Sequence, residues 1–365
     1  MPNEVGYATG IVGKWHLGLG RDSVNWNERI ASGPLKLDFD QSFIVPSTND
    51  RVPTVYLKGR RVHNLAENDP PLRVRYDEKI GDLPTDLSHP ERLHYPADSQ
   101  HSGTIVNGIS RIGWTAGGQS AWWSDAEIAS ILVQRARQFI KDTKNRPSLL
   151  FLPLQDVHAP RWPAEQFQGE SGAGLRGDAI KQIDWVVGQV RATLRRLDLE
   201  GNTLLLFTSD NGPVYDDGYE DGSLDNAHGH EANGPLRDGK YQSFEGGTRV
   251  PFIARWLGRI ESGTTSDALF SQVDLLATLA EPTGASLPDD ADPIALRSPR
   301  YCSSPTRRNA RTSFSKGPGN WPCVTETGST FPRARIPSGP SRSTTSPRVR
   351  SPRPCRRPTR PCCTT

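Results

Sequence analysis

No cysteine occurs among the first 301 residues, so most of the chain has neither a disulfide framework nor a cysteine-based metal site. The five that exist, Cys302, Cys323, Cys355, Cys362 and Cys363, lie near the end and lack the spacing of metal ligands. Redox compartment therefore cannot be read from them. No apolar run approaches the roughly 18 residues of a membrane span. The opening MPNEVGYATG lacks the basic and apolar pattern of an export signal, and no compartment is assigned. Apolar residues are scarce overall, at 34%, while 31 prolines are many, so part of the chain is expected not to pack.

Charge divides the chain in two. Residues 291–365 hold 14 Arg and one Lys against one Asp and one Glu, a net +13. With +3 for the whole, residues 1–290 carry −10. The basic segment is rich in Pro, Ser, Thr and Arg and has almost no aliphatic residues, so it reads as a disordered tail. An abrupt switch of this kind is what a reading-frame shift in GC-rich coding DNA would produce. Such a charge block could serve nucleic-acid binding, but few aromatics are there for stacking and the body is acidic; no nucleic-acid partner is expected.

Within 1–290 the pattern is α/β. A short apolar piece at 8–12 reads as a strand leading into a loop with Lys14 and His16. Residues 19–75 are punctuated by Pro and Gly, with one strand candidate at 54–57, and 76–123 reads as a long surface excursion. Ser124-Asp125-Ala126-Glu127 has the form of a capping box, followed by Ile128, Ile131, Leu132, Ala136, Phe139 and Ile140 at helical spacing. A buried strand at 149–152 runs to Gln155-Asp156-Val157-His158. Ile180, Ile183, Val187, Val190, Leu194 and Leu197 mark a second helix, and 203–208 reads as a buried strand of a parallel sheet. A strand at 249–256 and a short helix at 272–280 follow. The alternation predicts a doubly wound, mostly parallel sheet with helices on both faces.

Cations and metal-type oxygens recur at the ends of the predicted strands, which converge on one edge of a parallel sheet. Taken singly, each has an ordinary reading. Ser209-Asp210-Asn211-Gly212 is good turn chemistry, and Lys14, His16, His158 and Lys240 could be solvated loop residues. Together, Lys14, His16, His158 and Lys240 around a metal held by Asp210 and Asn211 would make an anion pocket. Such a pocket stabilises charge developing on a transferring sulfuryl or phosphoryl group.

These segments resemble the sulfatase family, in particular its arylsulfatase A and N-acetylgalactosamine-6-sulfatase branch. GYATGIVGKWHLG at 6–18 is similar to the family's second signature. Ser209-Asp210-Asn211-Gly212 looks like its metal-binding strand end. Gly234-Pro235-Leu236-Arg237-Asp238-Gly239-Lys240 with Glu245-Gly246-Gly247-Thr248-Arg249-Val250-Pro251 is similar to its LRGGK and EGGxRVP segment. His158, in Gln155-Asp156-Val157-His158-Ala159-Pro160, sits where the family has a second sulfate-contacting His. The four motifs stand in the family's order over about residues 6–285.

The resemblance implies an alkaline-phosphatase-like α/β fold, one Ca²⁺ and hydrolysis of a sulfate ester, such as an aryl sulfate or a sulfated sugar. A formylglycine hydrate attacks sulfur in that mechanism. Lys14 and Lys240 would hold sulfate oxygens, His158 would protonate the leaving alcohol, and His16 would assist loss of sulfate from the hydrate. Departures accompany the match. The family's Cys-x-Pro-Ser-Arg segment and its upstream Asp-Asp pair do not occur here, and the first strands of the sheet are expected to be missing. Where the family has Ser-His-Asp, this chain has Thr48-Asn49-Asp50, so Thr48 becomes a candidate hydroxyl toward the substrate. The resulting expectation is a partial sulfatase domain at 1–290, without the usual C-terminal subdomain and inactive for want of its nucleophile. A phosphoryl or phosphonate hydrolase of the same superfamily is the alternative enzyme reading.

Overall fold

Strand β1 (Ala8–Lys14) lies inside the main sheet of a computed structural model that describes residues 3–21 and 23–287, with the backbone of 312–316 and 322–326. The strands that follow are β2 (Gln41–Val45), β3 (Leu57–Lys58), β4 (Arg61–Val62), β5 (Arg73–Arg75), β6 (Ile105–Val106), β7 (Ile109–Ser110) and β8 (Trp114–Ala116). Helix α1 (Ile128–Asp142), β9 (Ser148–Phe151), α2 (Gly174–Arg196) and β10 (Leu205–Thr208) come next. One-turn α3 (Glu245–Thr248), β11 (Phe252–Arg255) and α4 (Leu275–Thr283) complete the first of two units, 1–307.

The main sheet has the order β4-β3-β2-β1-β9. β1 pairs in parallel with β2, Gly10 opposite Gln41 and Lys14 opposite Val45, and in parallel with β9, Ala8 opposite Ser148. β3 and β4 add antiparallel strands at the far side. β1 buries both faces, as a nearly continuous apolar run requires. Val12 joins Phe43, Val45, Ile128 and Leu132 beneath α1, whereas Ile11 packs with Trp15, Ile30, Ile44 and Leu57 on the opposite face. Ala129 and Val133 of α1 meet Val186 of α2, so the two helices form one layer.

Several elements differ from the sequence reading for clear physical reasons. β2 was not foreseen: five residues between Asp40 and Pro46 are too short a run to stand out, yet β2 is the partner of β1. Ser124 makes no capping hydrogen bond; Asp125–Glu127 forms a 3-10 turn that leads into α1. Ile180 of α2 faces solvent, and the buried stripe runs through Ala179, Val186, Val190 and Leu194. β10 pairs antiparallel with β11 and is half-buried, rather than standing buried in a parallel sheet. The 76–123 segment is not a surface excursion. It pairs β5 with β8 and β6 with β7, and buries Ile105, Val106, Ile109 and Arg111.

In the second unit, 308–365, the described residues are the antiparallel pair β12 (Thr312–Lys316) and β13 (Pro322–Glu326). The reading of 291–365 as a disordered tail otherwise falls outside the described residues. No described helix is long and apolar enough to cross a membrane.

Candidate functional site

The C-terminal ends of β1, β2, β9 and β10 bring the sequence-selected cations into one neighbourhood. At the end of β1, Gly13 adopts φ +130°, and a Cβ there would sit 2.0 Å from the Pro153 carbonyl oxygen. Glycine therefore lets β1 press against the segment after β9, where Lys14 N donates to that same oxygen at 2.8 Å. Trp15 is buried, its N–H donating to Val45 O at 2.9 Å, and it anchors the loop between Lys14 and His16. Lys14 Nζ reaches Asp210 Oδ2 beyond β10 at 3.3 Å.

Lys240 is placed by backbone packing. Gly212 N donates to Gly247 O at 2.9 Å, Lys240 N to Pro213 O at 2.9 Å and Gly246 N to Arg237 O at 2.8 Å. A Cβ on Gly212 would lie 1.8 Å from Gly246 O. The glycines of the two motifs thus permit direct backbone contact between them. Lys240 Nζ then points to Asp217 Oδ2 at 2.8 Å and to His158 Nε2 at 3.4 Å. Tyr241 OH donates to the other Asp217 oxygen at 2.7 Å. Burial disfavours the Lys240 charge, but Asp217 and Tyr241 outweigh it and raise its pKa. Asp217 is lowered against burial by its hydrogen bonds from Lys240 and Tyr241.

His158 has a fixed tautomer when neutral. Its Nδ1 lies 2.5 Å from the Ala159 carbonyl oxygen, which can only accept, so Nδ1 carries the proton and Nε2 keeps its lone pair toward Lys240. Burial lowers its pKa, with Lys240 and Lys14 adding to that effect and Asp50 opposing it. His16 is lowered too, first by burial and then by Lys14 and Arg51.

Asp50 was passed over as a candidate, although it stands in Pro46-Ser47-Thr48-Asn49-Asp50. Burial works against its charge, yet the neighbouring His101 and Thr48, with the charges of His158 and Arg51, hold it down at about 2. His101 donates from Nδ1 to Asp98 at 2.7 Å and lies 3.8 Å from Asp50, which raises its pKa despite burial. Nothing local in the sequence marked His101 or Asp217; each acts across a loop. Thr48 is 2% exposed and its hydroxyl is buried without a hydrogen-bond partner among the described residues, so it is not presented to an incoming substrate as expected.

The sequence pattern of the Sulfatase family matches residues 3–285. The chain belongs to the sulfatase family. It is 47% identical over 294 residues to an N-acetylgalactosamine-6-O-sulfatase of Bacteroides thetaiotaomicron, covering 80% of this chain and 57% of that protein. It is 30% identical to arylsulfatase A of Bos taurus, over 81% of this chain and 51% of that one. A solved structure connected with the metabolism of multiple glycosaminoglycans by Bacteroides thetaiotaomicron superposes with a TM-score of 0.83 at 42% identity. It covers 89% of this chain and 67% of that one. A sulfatase from Pseudoalteromonas shares the fold, with a TM-score of 0.51 at 23% identity over 78% of this chain and 50% of that one. The chain spans about half the length of the curated relatives it matches.

Sulfatases use a metal ion. Asp210 and Asn211 do stand at the end of β10, but they do not make a complete shell here. The Asp210 side chain is 66% exposed and paired with Lys14, while Asn211 Nδ2 donates to Gly212 O at 2.9 Å. Among the described residues, no three Asp, Glu, His or Cys side chains converge as metal ligands. Two oxygen donors fall short of the six to eight that calcium takes as a rule. Calorimetry with Ca²⁺ should therefore show only feeble binding that Asp210→Ala abolishes. Tight stoichiometric binding would contradict this ligand count.

Proposed function

We propose that the site is the sulfate-ester-binding part of a sulfuric ester hydrolase centre, with Lys14 and Lys240 holding sulfate oxygens and His158 beside the ester oxygen, the attacking group being absent from residues 1–301. The observation that carries this reading is the convergence of Lys14, His158 and Lys240, supplied by three separate motifs, at one end of the strands. The two ammonium groups offer charge-assisted hydrogen bonds to an anion, and both now rest on carboxylates, Asp210 and Asp217, that a sulfate would rival. His158 becomes an acid only when Nε2 gains a proton. That nitrogen faces Lys240, so the acid form points into the anion pocket rather than at the Ala159 carbonyl. His16, exposed beyond Trp15, is the second imidazole and would assist release of sulfate. A sulfated amino sugar is the substrate reading supported by the 47% relative, and Ca²⁺ the metal reading supported by the hard oxygens of Asp210 and Asn211.

The test is sulfate affinity against pH. The pKa of His158 is depressed below 6.5, so it is neutral at pH 7.5 and gains charge on acidification, while Asp50 stays ionised down to about 2. Followed from pH 7.5 to pH 5, inorganic sulfate affinity should therefore rise as the pH falls toward the lowered pKa of His158, and His158→Gln should flatten most of that slope. A pH-independent affinity, or a slope that survives His158→Gln, would overturn the assignment of His158. Stronger binding of inorganic phosphate than of sulfate at both pH values would favour the phosphoryl reading instead.

A further inference from the structure

Arg161 lies three residues after His158 and is 1% exposed, in a loop that sequence reasoning treated only as the carrier of the histidine. Its guanidinium reaches five acceptors, one Nη1 proton being shared between two of them, and leaves no nitrogen idle. Nε donates back to Val157 O at 3.0 Å, within the His158 loop. Nη1 donates to Asp221 Oδ2 at 2.7 Å, Ser223 Oγ at 2.7 Å and Tyr215 O at 3.1 Å, and Nη2 donates to Val214 O at 2.8 Å. Four of the five acceptors belong to the 214–223 loop. That loop also carries Asp217, which grips the Lys240 ammonium.

We propose that Arg161 is a positioning residue that sets the spacing of His158 from Lys240 by fastening the His158 loop to the Asp217 loop. The proposal rests on the sulfate-site reading above. The planar guanidinium suits this task because its donors diverge in fixed directions and reach two loops at once, which an ammonium cannot do. Other ties to the His158 loop come from elsewhere, Gln182 Nε2 donating to Asp156 Oδ1 at 2.7 Å among them. Asn49 Nδ2 donates to Pro160 O at 2.8 Å, and Tyr95 OH to Arg161 O at 3.2 Å. Tyr95 also packs edge-on against Tyr219 of the Asp217 loop, so the two loops share an apolar contact, but among these residues Arg161 alone hydrogen-bonds to both. Without it the Asp217 loop would keep its ties to 96–98 and to Ser110 but lose its hydrogen bonds to the His158 loop, and with them the direct polar tie behind the Lys240–His158 contact at 3.4 Å.

The experiment follows the His158 imidazole by NMR titration, assigned with His158→Gln, together with calorimetry of inorganic sulfate. Asp50, Lys240, Lys14 and Asp217 are the charged groups around the ring. In folded Arg161→Gln, Lys240 should draw away from the imidazole. The His158 pKa should then rise toward 6.5, and sulfate affinity should fall about tenfold, the loss of roughly one charge-assisted hydrogen bond. Ser223→Ala removes one of the five acceptors without touching charge, and should shift both readouts in the same direction by less. Leu132→Ala, in the core under α1, is the control for destabilisation alone and should move neither. An unchanged His158 pKa in folded Arg161→Gln would overturn the proposal; if that variant does not fold, the same result in Ser223→Ala would do so. An equal shift in Leu132→Ala would also overturn it. Should the unaltered chain bind no sulfate, the functional reading fails, whereas the His158 titration still decides the role of Arg161.

Discussion

The 365-residue polypeptide should bind an aryl sulfate and leave it unhydrolysed. Lys14 and Lys240 supply anion contacts, but residues 1–301 contain no cysteine to become the attacking group. None of the five later cysteines lies in a Cys-x-Pro-Ser-Arg context. Thr48 does not substitute, since its hydroxyl is buried and has no base bonded to it among the described residues. Catalytic groups act as a unit around the nucleophile, and removing one can cost on the order of 10⁶ in rate. A version carrying an added upstream Cys-x-Pro-Ser-Arg segment, made in cells that form formylglycine, should be faster by orders of magnitude. Turnover by the unaltered polypeptide, stopped by Lys14→Ala, would show that another group attacks.

Arg111→Met should be the most damaging change away from the anion pocket. Arg111 is fully buried and donates to Asp125 Oδ2 at 2.6 Å, to Val106 O at 3.1 Å and to Asn49 O. It thus joins the start of α1 to the β6–β7 hairpin and to the segment that holds Asp50. Methionine fills much of the volume but strands the Asp125 carboxylate in the interior. Breaking one side of a buried pair costs about 3–5 kcal/mol, a large share of a typical domain's 5–15. Urea unfolding should show that loss, and Arg111→Met combined with Asp125→Leu should recover part of it. A single-variant loss below about 1 kcal/mol would mean that water reaches Asp125.

The parts of the fold that were legible are those where periodicity and burial coincide. α1 and α2 followed from apolar spacing because each packs one stripe against the next layer, whereas β9 stands where its apolar run put it but is not the buried strand expected, Phe151 being 51% exposed. The 104–116 segment was misjudged because its interior is polar. Thr104, Ser110, Arg111 and Thr115 are all buried, with Thr115 N donating to Thr104 Oγ1 at 3.1 Å and Tyr219 OH to Ser110 O at 2.9 Å. Hydropathy cannot show a polar group whose partner lies over a hundred residues away, as Tyr219 does from Ser110. β10 looked like a central parallel strand because an all-apolar run signals burial, yet its described partner is antiparallel β11.

The site divides in the same manner. Lys14, His158 and Lys240 were legible because each sits in a compact motif at a strand end. Asp50, His101, Asp217 and Arg161 were not, since each acts by pairing with a residue on another loop. Stability should carry the mark of that pairing. The depressed Asp50 carboxyl contributes above its unfolded value of 3.8 and loses its contribution as pH falls toward about 2. The raised His101 contributes below 6.5 and loses its contribution as pH climbs through its folded value.

The most direct measurement is calorimetric titration of the whole chain with inorganic sulfate at low ionic strength, beside the Lys14→Ala/Lys240→Ala double variant. One saturable site is expected in the unaltered chain. Each lysine contributes a charge-assisted contact of about 1.5–3 kcal/mol, so the double variant should bind at least a hundredfold more weakly. Equal sulfate affinity in the two folded proteins would show that the lysines converge for some other purpose, and the anion-pocket account would be wrong.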